Sequence, residues 1–249
     1  MMKLLQLLTF TIFFTSINNF AQTNIMVRAK AKDAKFIGTS IGGAKIIVRE
    51  VLTKKILAQG VTTGSTGNSE KIMKQPKERY QDISDDNTAG FLAKLDIKQP
   101  VFVEVEAHAP INKSQAKVKS TTQLWVIPGK DIVGDGVVLE IPGFVIDIIS
   151  PQTHERVPGE ISTEIKANVV MMCGCPVEDG GMWDAAGFEI KAVIESEGFF
   201  KEIELNQTEK SSTFSGNIDL NKGNYTLTVY AFDPKTGNSG VDKTNIIIN

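Results

Sequence analysis

Val101, Val103, Val105 and Ala107 alternate with Phe102, Glu104, Glu106 and His108, which places one apolar row on one face of an extended segment. This period of two, cut at short intervals by Gly, Pro, Asn and Asp, confines most of the chain to β-structure. Segments 46–51 and 56–61 flank Thr53-Lys54-Lys55 as a hairpin, and 91–96 and 117–127 read as further strands. Pro142-Gly143 and Ser150-Pro151 bracket a strand at 144–149. Beyond it the punctuation becomes regular, with strands expected at 161–172, 188–195, 199–205, 214–220, 225–232 and 241–248. No stretch sustains the three-and-four spacing of an amphipathic helix. The pattern predicts an all-β protein of two antiparallel β-sandwich domains in tandem, 22–142 and 143–249. Residues 62–90 break the alternation. They are rich in Gly, Ser, Asn, Lys and Asp, and a connection of that length inside a compact domain is commonly functional or mobile. The charged residues from position 71 to 86 read as a solvated loop.

The chain of 249 residues carries 27 Lys+Arg against 29 Asp+Glu. That balance supplies no basic excess to neutralise a phosphate backbone, so nucleic acid is not an expected partner. Residues 1–21 read as a signal peptide, with Lys3, an interrupted apolar run over 4–17, and the small residue Ala21 before Gln22. The run is too short and too broken to span a bilayer comfortably, and no cysteine stands near the cleavage point to take a lipid. The mature chain is expected to be periplasmic or secreted, not membrane-spanning, with an exported or cell-surface protein as partner. Its Phe20-Ala21-Gln22 ending resembles the signal peptides of Gram-negative Bacteroidota.

The segment 220–231, Leu-Asn-Lys-Gly-Asn-Tyr-Thr-Leu-Thr-Val-Tyr-Ala, resembles the E–F corner of immunoglobulin-like bacterial modules. The resemblance implies that Tyr225, at the start of strand F, hydrogen-bonds back across the turn. Residues 233–240, with Thr236-Gly237-Asn238, are similar to the F–G hairpin of the same modules. The strand, turn and strand over 43–60 resemble, more loosely, the transthyretin-like modules of exported regulatory domains, including those of carboxypeptidases. Both resemblances imply a fold and leave the activity open, because such modules host many roles.

Export changes how the cysteines read, since oxidising compartments let thiols pair and the chain holds just Cys173 and Cys175. They stand in Met171-Met172-Cys173-Gly174-Cys175-Pro176, at the end of an expected strand whose core face carries Ile165, Ala167, Val169 and Met171. The cysteines share that parity, so in an extended chain both sulfurs point the same way. Three readings stand. Two thiolates with thioethers of Met171, Met172 or Met182, and His154 if its loop folds over, form the donor set that Cu(I) prefers. A local disulfide, either a structural clip or a thiol-redox pair, is the reading that export favours. Free or intermolecular thiols are the third.

Other patterns carry less. Glu178, Asp179 and Asp184 surround Gly180-Gly181 as calcium donors would, but at no known calcium-loop spacing, and Trp183 beside them suits packing over a sandwich edge. Gly38-Thr39-Ser40-Ile41-Gly42 matches a nucleophile elbow in form, yet no βαβ alternation surrounds it. Gly64-Ser65-Thr66-Gly67 lacks the Lys-Ser/Thr of a phosphate loop. With two histidines in the chain, His108 and His154, there is little material for general-base work. The expectation is a non-enzymatic exported binding or scaffold protein with the cysteines as a clip. Copper binding or thiol redox is the alternative.

Overall fold

The computed structural model describes residues 22–159 and 162–249; the signal-peptide expectation falls on residues outside that range. The first half forms β1 (Thr23–Ala31), β2 (Lys45–Glu50), β3 (Ile56–Val61), β4 (Phe91–Leu95), β5 (Val101–Ala109), β6 (Val118–Val126) and β7 (Ile132–Ile141). Two sheets result, ordered β4-β1-β7 and β3-β2-β5-β6. The β2–β3 hairpin is where the sequence placed it, and the buried row Val103, Val105 and Ala107 packs inward with Ile46 and Val48 against Ile25, Val27 and Leu139.

Neither β1 nor β7 was foreseen as a strand, and their ladder is parallel, a departure from the purely antiparallel expectation. The glycines of β7 shape this pairing. The pairing with β1 shifts between Ile25 and Val27, and Gly134 and Gly136 sit at φ 72° and 68° in that irregularity. A Cβ on Gly136 would lie 2.2 Å from the Met26 carbonyl oxygen, so only glycine allows the two backbones this close. Those glycines also blur the alternation that would have announced the strand.

Residues 62–90 are tethered to the sheet, while the charged side chains from 74 to 86 are exposed, as a solvated loop requires. Isolated bridges join Thr63 to Gly90 and Ser65 to Thr88, and a π-helical turn spans Glu70–Lys74. Arg28, 6% exposed on β1, donates from its guanidinium to the carbonyls of Thr88 and Ala89. Asp135 on β7 accepts from the backbone of Ile83 (3.0 Å) and Ser84 (2.8 Å) and from the Ser84 hydroxyl (2.7 Å). Lys71 donates to the Ser84 carbonyl at 2.9 Å. Two charged residues of the sheet thus satisfy polar groups at 83, 84, 88 and 89, which a reading of local composition does not reveal.

The second half contains β8 (Phe144–Ser150), β9 (Arg156–Val157), β10 (Thr163–Met171), β11 (Glu189–Ser196), β12 (Phe199–Glu204), β13 (Asn206–Gln207), β14 (Thr213–Ile218), β15 (Gly223–Phe232) and β16 (Ser239–Ile248). Its sheets are ordered β13-β14-β10-β8 and β12-β11-β15-β16-β9. Lettered A, A′, B, C, C′, D, E, F and G in chain order, these are the sheets D-E-B-A and C′-C-F-G-A′ of an immunoglobulin-like sandwich. The short β9 also runs parallel to its neighbour, β16. The expected corner is present: the Tyr225 hydroxyl donates to the Asn221 carbonyl at 3.0 Å. The β15–β16 hairpin closes where expected, with the Asp233 amide donating to the Asn238 carbonyl at 2.9 Å. Among the described residues no ladder crosses Pro142-Gly143, while the buried core runs unbroken through both sandwiches. No helix among them is long and apolar enough to cross a membrane.

Candidate functional site

Strand β10 delivers the cysteines. Its buried row Ile165, Ala167, Val169 and Met171 faces the core as the alternation requires. Past Met171 the chain does not continue extended, contrary to the geometry expected for the sulfurs. It closes a tight turn in which the Gly174 amide donates to the Met171 carbonyl (2.7 Å) and the Met171 amide to the Cys175 carbonyl (3.0 Å). Gly174 stands at φ 79°, a conformation that glycine adopts without steric penalty. A disulfide joins Cys173 to Cys175 across this turn, with the Cα atoms 5.4 Å apart.

Met171, Met172, Cys173 and Cys175 are all buried in or beside this turn, so the fold gathers four of the six residues in the copper donor set. Met182 lies 44% exposed on the following loop. His154 is exposed on another loop, its backbone amide donating to the Asn245 carbonyl at 2.7 Å. The β8–β10 register pairs Phe144 with Met171 and Ser150 with Lys166. The chain leading to His154 therefore leaves the sheet about 17 Å from Met171, taking ~3.3 Å per residue, and the histidine is not brought to the sulfurs.

The turn lies at the junction with the other sandwich: its tip, Gly174, is exposed, and a Cβ added there would stand 3.4 Å from the Cδ1 of Ile41. Ile41 ends the 3-10 turn Thr39–Ile41, inside the stretch that matches a nucleophile elbow in form. Here that stretch is a contact turn: Ser40 is exposed, and the Thr39 hydroxyl accepts from the Gly64 amide at 2.9 Å. Trp183 is buried in the same junction, and its indole Nε1 donates to the Asp33 carbonyl at 2.8 Å. Asn238, at the base of the β15–β16 hairpin, donates to the Lys32 carbonyl (3.1 Å) and accepts from the Gly143 amide (2.9 Å). Lys113 pairs with Asp147 at 2.7 Å, and Gln115 donates to the same carboxylate at 2.7 Å. Sequence reasoning did not foresee the junction contacts of Asn238, Lys32 and Asp147, because partners so far apart in the chain leave no local pattern.

The carboxylates of the Gly-Gly loop serve that loop. Asp184 accepts from the amides of Gly180 and Ala186, capping the short turn Ala185–Gly187, and Glu178 accepts from the Ser211 hydroxyl at 2.6 Å. A second charged cluster, also unforeseen, lies on the first sandwich. Glu106 is buried on β5 between Arg49 (3.1 Å), His108 (3.2 Å) and Lys119 (3.4 Å). Burial opposes its ionisation, but hydrogen bonds from His108, Arg49 and Lys119 outweigh it and hold the carboxyl below the usual range. Asp135 is depressed in the same way, burial being overcome by donors from Ile83 and Ser84.

Fold and site together define a class: paired β-sandwiches, the second immunoglobulin-like, sharing one buried core and joined by the bonds of Trp183, Asn238, Lys113 and Gln115. No family model matches the chain, and no curated protein matches it. Among solved structures it is similar to the fibronectin(III)-like modules of Clostridium thermocellum CbhA, at 9% identity over 94% of this chain and 92% of that one, with a TM-score of 0.29. It is similar also to the alpha chain of the chicken interferon gamma receptor, at 10% identity over 92% and 98%, with a TM-score of 0.31. An engineered protein matches 47% of this chain at 16% identity and a TM-score of 0.33, and only 22% of its own length is spanned. The immunoglobulin-like assignment rests on the strand order and the tyrosine corner, not on these neighbours.

Proposed function

We propose that this is an exported, non-enzymatic binding or scaffold protein of two domains, 22–142 and 143–249, held in one fixed arrangement. In this reading residues 1–21 are removed on export, and the mature chain works in the periplasm or outside the cell. Cys173 and Cys175 form a structural clip. The observation that carries the reading is the burial of both sulfurs, 0% and 5% exposed, on either side of the exposed Gly174. A clip there fixes the turn and leaves no thiolate free to attack or to ligate.

The test is thiol titration and denaturant unfolding of protein recovered from an oxidising compartment, alongside a Cys173→Ser/Cys175→Ser variant. No free thiol is expected before reduction. The chain-entropy value for a three-residue loop is about 1.6 kcal/mol, and the variant should lose that plus about 1–3 kcal/mol for each serine hydroxyl it leaves buried without a partner. Copper handling would take over as the reading if the reduced protein held Cu(I) stoichiometrically against a competing chelator and lost it on Cys173→Ser. Reduction of a test disulfide that depended on either cysteine would instead mark a redox enzyme.

A further inference from the structure

The outer face of the sheet β3-β2-β5-β6 carries a platform and a cleft that the junction does not use. Ile46, Val48, Val103, Val105 and Ala107 point into the core, so their neighbours on β2 and β5 point outward. At one end of the outward row Phe102 pairs with Trp125 of β6, their ring centroids 5.1 Å apart. Trp125 is 63% exposed and turns a large π surface to solvent. Next along the strands Glu104 accepts a hydrogen bond from the Gln123 amide at 3.0 Å. Glu106 follows, bonded to Arg49, Lys119 and His108, four residues and about 13 Å from Phe102.

Beyond Glu106 opens a cleft of 550 Å³. Ile47, Val61 and Ile111 give it apolar walls, Glu106 and His108 line its near end, and Lys45 and Lys117 stand at its side. Neither lysine has an ion-pair partner among the described residues. Across the face and its rim, Lys45, Arg49, Lys117 and Lys119 outnumber Glu104 and Glu106 by four to two. The face thus joins an exposed aromatic plate, a row of hydrogen-bonding side chains and two uncompensated ammonium groups.

We propose that this face binds an acidic polysaccharide whose sugar rings carry carboxylates, laid from Trp125 to the Lys45–Lys117 cleft. The C–H face of a sugar ring stacks on the indole, its hydroxyls meet Glu104 and Gln123, and a uronate carboxylate meets the lysines. A polypeptide fits less well. Sheets capture extended peptides at an edge, where backbone groups are unpaired, and β2 and β5 are each paired on both sides. A peptide laid over their side chains would leave its own backbone groups without ladder partners. The inference goes beyond the clip reading and is tested without touching the cysteines.

The experiment is affinity electrophoresis and titration calorimetry of the chain from residue 22 onward. The probes are polygalacturonate and alginate, with dextran as the neutral polymer and poly-glutamate as the acidic peptide. Both uronate polymers should bind, more weakly as salt is raised, and dextran should not. Trp125→Ala and the pair Lys45→Gln/Lys117→Gln should each weaken binding by about fivefold or more. Trp183 emission reports that each variant is folded. Absence of binding to both uronate polymers, equal binding to dextran, or retention of affinity in the Trp125→Ala protein would overturn the proposal. Tighter binding of poly-glutamate than of either uronate would assign the face to an acidic protein instead.

Discussion

Replacing Trp183 with alanine tests whether the two sandwiches are energetically one body. The indole is 6% exposed and reaches an acceptor 150 positions away, the carbonyl of Asp33. Fully burying a Trp side chain removes roughly 200 Å² from water, an upper value near 5 kcal/mol at ~25 cal/mol per Å². Measured truncations of buried aromatics to alanine cost about 3–5 kcal/mol, and the hydrogen bond accounts for ~1 kcal/mol of that. Water can replace the lost donor, because Asp33 is exposed. We therefore expect Trp183→Ala to lose about 4 kcal/mol and Trp183→Phe, which keeps an aromatic ring but no donor, about 1–2 kcal/mol. Urea unfolding followed by far-UV circular dichroism checks the magnitude. It also checks cooperativity: the unbroken core predicts one transition in the native chain and two in Trp183→Ala. Fluorescence supplies a second readout, since the chain's other tryptophan, Trp125, is 63% exposed and quenchable by acrylamide while Trp183 is not. A Trp183→Ala protein within about 0.5 kcal/mol of the native chain, still unfolding in one transition, would refute the reasoning.

Two further outcomes concern the charged anchors and the corner. Glu106 and Asp135 both have depressed folded pKa values, so the stability they contribute is complete above the ordinary carboxylate range and fades as pH falls below about 4. Denaturation midpoints measured down the acid arm should fall less steeply for Asp135→Asn and Glu106→Gln than for the native chain, although both variants start less stable at neutral pH. Tyr225→Phe removes the hydroxyl that closes the corner on Asn221 and should cost about 1 kcal/mol in urea unfolding, with the fold retained in the dichroism spectrum.

Much of the second sandwich was legible in the sequence, because strand periodicity and turn chemistry are local. The alternation in β10, β11 and β15 names their buried faces, and Tyr225 with Asn221 announces a corner within five residues of chain. The β2–β3 hairpin was legible for the same reason. The candidate site was legible in part: the cysteines stood out as a pair, but their surroundings did not. That β1 and β7 run side by side, that Arg28 and Asp135 pin residues 62–90, and that Trp183 reaches Asp33 were decided by tertiary structure alone. Each joins segments remote in the chain, as Asn24 meets Asp131 and Lys32 meets Asn238 across 206 positions. Sequence periodicity tells a residue which face it occupies. Which other face will meet it depends on burial and polar satisfaction summed over the whole molecule, and no window of the sequence contains that sum.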